Sequence, residues 1–205
     1  MKKNIESIWQ ECESFRIQQK KQEFLTMLEY IEQALPEKKN CFEVGAYDGG
    51  TTVGFLNLFD SVVTVDIEPR PTWAFIKENY PDWISLKANT HNPILLRYTR
   101  NLNRQYDFIF IDGDHSAEGV EMDFLIYKQF LKPGGIIGFH DIIMSRFHEA
   151  NNCYVHEFWQ RYKSQYEHLE IIYNGSDYAG EFASKCSNQD WGGVGLLLNV
   201  NPMIT

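Results

Sequence analysis

Five short apolar runs punctuate the chain at regular intervals: CFEVGA (41–46), SVVTVD (61–66), WISLKA (83–88), YDFIFI (106–111) and GIIGFH (135–140). Runs of this length, apolar on both faces, read as strands buried in a parallel sheet. Between them lie stretches that suit helices, near 51–59, 71–79, 93–102 and 116–131. Alternation of this kind admits few folds. Each strand must cross over through a helix to a parallel neighbour, so helices cover both faces of one sheet.

The helix expected over 116–131 carries the clearest signals. Ser116 can cap it, Ala117, Val120, Phe124, Tyr127 and Leu131 line one stripe, and Lys132-Pro133-Gly134-Gly135 ends it. Residues 1–36 read as an N-terminal helical segment. Phe24, Leu28, Ile31 and Leu35 share one helix face, and Pro36 stops the run. After Asp141 the pattern loosens into a helix near 153–166, a strand HLEIIY (168–173), a polar loop (174–191) and a last strand GVGLLLNV (193–200). The expectation is a doubly wound, Rossmann-like α/β fold of seven strands with N-terminal helices. One domain is expected over 1–205, its α/β core over 40–205.

Composition narrows the partners. A chain of 205 residues that is 43% hydrophobic can bury a sizeable core. A formal net charge of −9 argues against a broad phosphate-binding face, so nucleic acid is not expected. The four cysteines (Cys12, Cys41, Cys153, Cys186) are far apart, which argues against zinc ribbons and disulfide scaffolds. The opening MKKNIESIWQECES lacks the apolar core of a signal peptide, and no run approaches a membrane span. A cytoplasmic protein without a membrane partner is expected; a homo-oligomer is left open.

Two strands empty into titratable groups. FIFI runs into Asp112-Gly113-Asp114-His115, and GIIGF into His140-Asp141. In open parallel sheets ligands bind beyond the carboxyl ends of the strands. The first strand ends there too, in EVGAYDGGTT (43–52). Gly45, Gly49 and Gly50 allow a tight turn, and Thr51 or Thr52 begins a helix whose free amides can meet a carboxylate. Asp66, ending the second strand, stands where an acid accepts from ribose hydroxyls. The spacing is Gly-x-x-x-Gly, without the dinucleotide fingerprint or a phosphate-loop lysine. Glu43, Gly45, Gly49 and Asp66 together therefore indicate a nucleoside ligand with no pyrophosphate.

These motifs resemble the class I S-adenosylmethionine-dependent methyltransferases. QQKKQEF (18–24), IDGDHSAEGVEMDF, LKPGGIIGFHDI and WGGVGLLL are similar to a smaller branch, the compact metal-dependent O-methyltransferases and their relatives that act on sugar hydroxyls, some labelled cephalosporin hydroxylase-like. The resemblance implies strand order 3-2-1-4-5-7-6 with the last strand antiparallel. It implies that the turn Gly45–Gly49, with Tyr47 inside it and Thr51 after it, passes the methionine part of S-adenosylmethionine. Asp66 would hold the ribose, Asn89 would face the adenine edge and Ile67 would pack on the ring.

The resemblance also implies a divalent metal held by Asp112 and the pair His140-Asp141, with His115 as general base. His140 departs from the branch's all-oxygen pattern. Imidazole suits manganese, iron or zinc better than magnesium, unless His140 is not a ligand or no metal is present. Asp112 has other readings, as a turn cap or a contact for the cofactor's amino group, and His115 has one as a helix cap. Asp114 reads as a turn residue. His91, His148, His156 and His168 read as surface or packing residues; Trp73, Trp83 and Trp159 read as core, and Trp191 as a candidate pocket residue. The function expected is methyl transfer to an oxygen of a small-molecule acceptor, a sugar hydroxyl being one candidate. A non-catalytic S-adenosylmethionine-binding protein is the alternative, and N-methylation stays open.

Overall fold

The computed structural model describes residues 4–174 and 192–200. The loop 174–191, apart from Asn174, lies outside them, and Trp191 and Cys186 with it.

The elements in chain order are α1 (Ile5–Glu13), α2 (Lys21–Ala34), β1 (Asn40–Val44), α3 (Gly50–Leu58), β2 (Ser61–Asp66), α4 (Thr72–Asn79), β3 (Ile84–Lys87), α5 (Pro93–Asn101), β4 (Tyr106–Ile111), α6 (Ala117–Tyr127), β5 (Leu131–His140), α7 (Arg146–Ala150), α8 (Val155–Tyr162), β6 (Glu167–Ile171) and β7 (Val194–Leu198). The seven strands form one sheet in the order β3-β2-β1-β4-β5-β7-β6. The first five run parallel; β7 is antiparallel to both β5 and β6. This is the Rossmann-like methyltransferase topology.

The central strand β4 is buried at every position. Its side chains alternate between two cores. Phe108 and Phe110 pack with Phe24, Phe55 and Trp83 on one face, and Ile109 and Ile111 with Phe124, Phe139 and Phe158 on the other. Trp73, Trp83 and Trp159 all belong to these cores. Each core sets aromatic rings edge to face, as Phe55 does on Phe108 at 5.5 Å and Phe124 on Phe139 at 5.9 Å, a geometry favoured beyond the area it buries.

Two expected elements take a more specific form. The N-terminal helices expected over 1–36 are α1 and α2. The backbone breaks at residues 14–20, where Arg16 takes a left-handed φ of 52°. Phe24, Leu28 and Ile31 lie on α2, Leu35 is its C-cap, and all four are buried. Second, α6 ends at Tyr127 and passes through a 3-10 turn (Lys128–Phe130) into β5, so Pro133 and Gly134 lie in the strand's irregular start rather than just past a helix. Among the described residues no helix is long and apolar enough to cross a membrane.

Candidate functional site

The carboxyl ends of β1, β2, β4 and β5 meet at one edge of the sheet. The Gly45 amide donates to the Val65 carbonyl at 2.8 Å, and the turn leaves β1 with Gly45 at φ +79°. A Cβ on Gly45 would stand 2.0 Å from the Asp112 carbonyl oxygen, so only glycine lets the β1 turn pass the end of β4. Gly49, at φ +93°, begins α3 with its face against Ile76.

Asp66 ties this turn down. Its Oδ2 accepts from the amides of Ala46 (2.9 Å) and Tyr47 (3.0 Å), and its Oδ1 from Glu68 (2.8 Å). A carboxylate offers about four acceptor positions, so one remains for a ligand hydroxyl. Asp66→Ala should therefore weaken binding of the demethylated cofactor by roughly 1.5–3 kcal/mol, the range for bonds to charged groups, and lower thermal stability too. Calorimetric titration beside thermal unfolding checks both; unchanged affinity would remove Asp66 from the binding surface.

Glu43 supports the same turn from below. It is fully buried, and its Oε2 accepts from Thr52 Oγ1 at 2.6 Å and Thr64 Oγ1 at 2.8 Å. Burial pushes its pKa up to about 7, against the opposing pull of Thr52, Thr64 and Thr51. A carboxyl raised in the folded state binds more protons there than in the unfolded chain. Its contribution is therefore fully present below the unfolded value, near 4.5, and is lost as pH rises toward 7. Glu43→Gln should flatten that part of the stability–pH curve, read by urea melts at pH 4.5 and 7; an unchanged slope would contradict the assignment.

A cavity of about 360 Å³ opens beside the turn. Gly45, Tyr47, Thr51, Asp66, Ile67, Asn89, Asp112 and His115 all line it. Ile67 is 65% exposed, an apolar platform directly after Asp66. The opposite wall is the break between α1 and α2, residues Arg16 to Gln19. Arg70 and Arg16 flank the Tyr47 ring, 5.0 and 6.0 Å from its centre. Glu43, Gly49, His140 and Asp141 do not line the cavity; they stand behind its wall.

At one side of the cavity lies an acid–histidine cluster. His115 Nε2 is 3.2 Å from Asp112 Oδ1 and 3.5 Å from Asp141 Oδ2. His140 Nδ1 is 3.2 Å from Asp141 Oδ1 and 3.6 Å from Asp112 Oδ1. Gln19 donates to Asp112 Oδ2 at 3.1 Å, and Asp141 Oδ1 lies 3.1 Å from His148 Nε2. Burial favours the neutral forms of Asp112, His115, His140 and Asp141, but the opposite charges win. Asp112 and Asp141 are held below the usual carboxylate range by the histidines around them. Against burial, the two carboxylates raise His115 to about 9 and His140 well above its ordinary value.

The cluster brings His115 beside the expected metal set. Ligand atoms of Asp112, His115 and Asp141 lie within 4.8 Å of one another and form a possible metal set. His140 stands outside that group. It is 3% exposed, and its Nδ1 faces both carboxylates, a position that suits a counter-charge and a ligand alike. The helix-cap role considered for His115 falls to Ser116, whose Oγ accepts from Gly119 at 3.0 Å. Asp114 is the turn residue expected, accepting from the Ser116 amide at 2.9 Å.

Several residues were not legible as site residues. Gln19 and Arg16 sit in a polar stretch that looked helical. His148 looked like packing, and only the fold carries it to Asp141. His91 lines the cavity and lies 3.1 Å from Asp123, a fully buried carboxylate on α6. No periodicity separates Asp123 from its helix.

Comparisons with known proteins agree with this geometry. Residues 42–142 match the profile of a methyltransferase-domain family. A search of curated proteins by sequence found no match. Among solved structures, the fold is similar to an O-methyltransferase from Bacillus cereus in complex with SAH (TM-score 0.58, 16% identity, covering 94% of this chain and 90% of that one). It is also similar to an rRNA methylase from Streptococcus thermophilus (TM-score 0.59, 11% identity, covering 86% and 95%). The MycE methyltransferase of the mycinamycin biosynthetic pathway, in complex with Mg, SAH and mycinamycin VI, is matched more loosely (TM-score 0.45, 17% identity, 57% of this chain), and the chain spans 32% of its length. The sheet order, the glycine turn and the methyltransferase-domain match over 42–142 agree with one another, and the chain resembles the class I S-adenosylmethionine-dependent methyltransferases.

Proposed function

We propose that the protein transfers a methyl group from S-adenosylmethionine to an oxygen of a small molecule, of the sugar-hydroxyl class, with assistance from a divalent metal. One observation carries this reading: the cavity beside the glycine turn ends on Asp112 and His115, with Asp141 directly behind.

The residues suit the cofactor. The Gly45 turn lines the cavity, Asp66 keeps one acceptor position, and exposed Ile67 with Asn89 offers a surface for a base. When bound, S-adenosylmethionine supplies an activated methyl group on a sulfonium. The protein's task is alignment, and holding acceptor and donor in line can be worth about 7–11 kcal/mol. Asp112 and His115 face the same cavity, so an acceptor hydroxyl placed there meets a proton acceptor at His115 Nε2.

The converging oxygens of Asp112 and Asp141 also suit a divalent ion. Such an ion would lower the pKa of a bound hydroxyl. His115 Nε2 can be base or ligand, not both at once; the proposal gives it the base role and leaves the ion to the two acids.

The test is SAH formation from simple glycosides and catechol by parent protein, by chelator-treated protein verified metal-free, and after return of Mn²⁺ or Mg²⁺. Turnover that falls by about 10²-fold or more on metal removal and returns with Mn²⁺ or Mg²⁺ supports the reading. Parent-level turnover without metal would exclude a catalytic ion, and absence of turnover on every hydroxyl would favour a nitrogen acceptor or a binding role.

A further inference from the structure

Neither His148 nor Cys153 lines the cavity, yet both converge on Asp141 from behind. Asp141, His148 and Cys153 are all buried, and one ligand atom of each lies within 4.8 Å of the others. We propose that Asp141, His148 and Cys153 form a second metal site, for a borderline-soft divalent ion of the zinc type.

His148 is held through both ring nitrogens. Its Nδ1 faces the Ile143 carbonyl, which can only accept, so Nδ1 carries a proton. The Gly192 amide points at Nε2 from 3.4 Å and treats that nitrogen as an acceptor. Yet Nε2 also lies 3.1 Å from Asp141 Oδ1, another acceptor. Imidazole and carboxylate thus converge, with Cys153, on one point that a shared proton or a metal can occupy.

Cys153 favours the metal. A proton shared by His148 and Asp141 needs no third base, whereas a metal does. A thiolate, an imidazole and a carboxylate form a donor set suited to tetrahedral zinc and poor for magnesium. The Nδ1 bond to a backbone carbonyl is the outer support that metal-bound histidines usually carry. The local chain is shaped for convergence too. Asn152 takes a left-handed φ of 55°, and the Cys153 amide turns back to the His148 carbonyl at 2.9 Å.

As the sulfur–metal bond forms, the Cys153 thiol gives its proton to solvent. Three protein donors leave a fourth position on the ion. Asp141 is then shared, Oδ1 toward His148 and Oδ2 toward His115. The buried ion would close the excursion from β5 to α8 and fix the carboxylate that the cavity-facing cluster uses.

The experiment is a titration of metal-stripped full-length protein with Co²⁺, followed by absorption. A thiolate-to-cobalt charge-transfer band should appear and saturate at one equivalent. Cys153→Ser should abolish the band, His148→Gln should weaken Co²⁺ binding roughly tenfold or more, and Cys186→Ser should leave both unchanged. Circular dichroism establishes that each variant is folded. If Cys153→Ser does not fold, the band in His148→Gln decides. Absence of the band in folded parent protein, its persistence in Cys153→Ser, parental affinity in His148→Gln, or its loss in Cys186→Ser would each overturn the proposal. None of these readouts depends on methyl transfer.

Discussion

His115→Ala should lower methyl-transfer turnover by about 10²-fold or more while leaving SAH affinity within a few-fold. General bases contribute roughly 10²–10⁴-fold, and a group acting only in the transition state changes kcat and kcat/KM together. The geometry isolates the effect well. Ser116 rather than His115 caps α6, and the backbone bond from the Tyr154 amide to the His115 carbonyl (2.7 Å) survives the substitution. The pH profile gives a second readout. Asp112 and Asp141 raise the imidazole to about 9 against the effect of burial, so the metal-free protein holds it charged at neutral pH. A base must be neutral to act, so metal-free activity should climb as pH rises toward 9. Positive charge placed between the two acids should move that limb down. The limb should vanish in His115→Ala. A loss of only a few-fold with the limb intact would pass the base role to another group, His140 or Asp114 first.

Gly45→Ala should cost roughly 3–5 kcal/mol of stability and abolish cofactor binding. The added Cβ would meet the Asp112 carbonyl oxygen at 2.0 Å, the Asp112 carbonyl carbon at 2.5 Å and Gly113 Cα at 2.8 Å. All three are backbone atoms at the end of a central strand, so nothing can swing aside. Relief requires parting the β1 turn from β4, the two walls that place Asp66 and Asp112. A φ of +79° adds a backbone penalty of about 1–2 kcal/mol for any L side chain. Gly134→Ala separates the two contributions. It has φ +78° with nothing within 4 Å of its would-be Cβ, so only the backbone penalty applies. For a chain of this size, thermal midpoints should fall by about 10 °C for Gly45→Ala and by a few degrees for Gly134→Ala. Equal shifts would refute the steric account.

The order of elements was legible because burial on both faces writes parallel strands as apolar runs, and each run of the sequence became a strand within a few residues. The glycine turn was legible as well, since positive φ and close approach leave few substitutes for Gly45. What failed to show depends on contacts distant in sequence. Arg16 and Gln19 reach the cavity because the N-terminal segment breaks between α1 and α2. The break turns on the left-handed φ of Arg16, which no propensity signals at an arginine. His148 and Cys153 meet Asp141 through a short excursion that carries no period. The expected metal ligand His140 had the right position in the chain; that its Nδ1 faces both Asp112 and Asp141 from a buried place came only with the fold. Asp66 had a second role hidden from the sequence: it organises the turn as well as facing the cavity.

The central claim is that the cavity lined by Gly45, Asp66, Ile67 and Asn89 holds the nucleoside of S-adenosylmethionine. Calorimetric titration of the purified parent protein with SAH, and separately with NAD, tests it most directly. The account predicts one-to-one SAH binding on the micromolar scale, about 8 kcal/mol for ~1 µM, and no heat of binding for NAD. Binding of NAD, or no detectable SAH binding by folded protein, would contradict it.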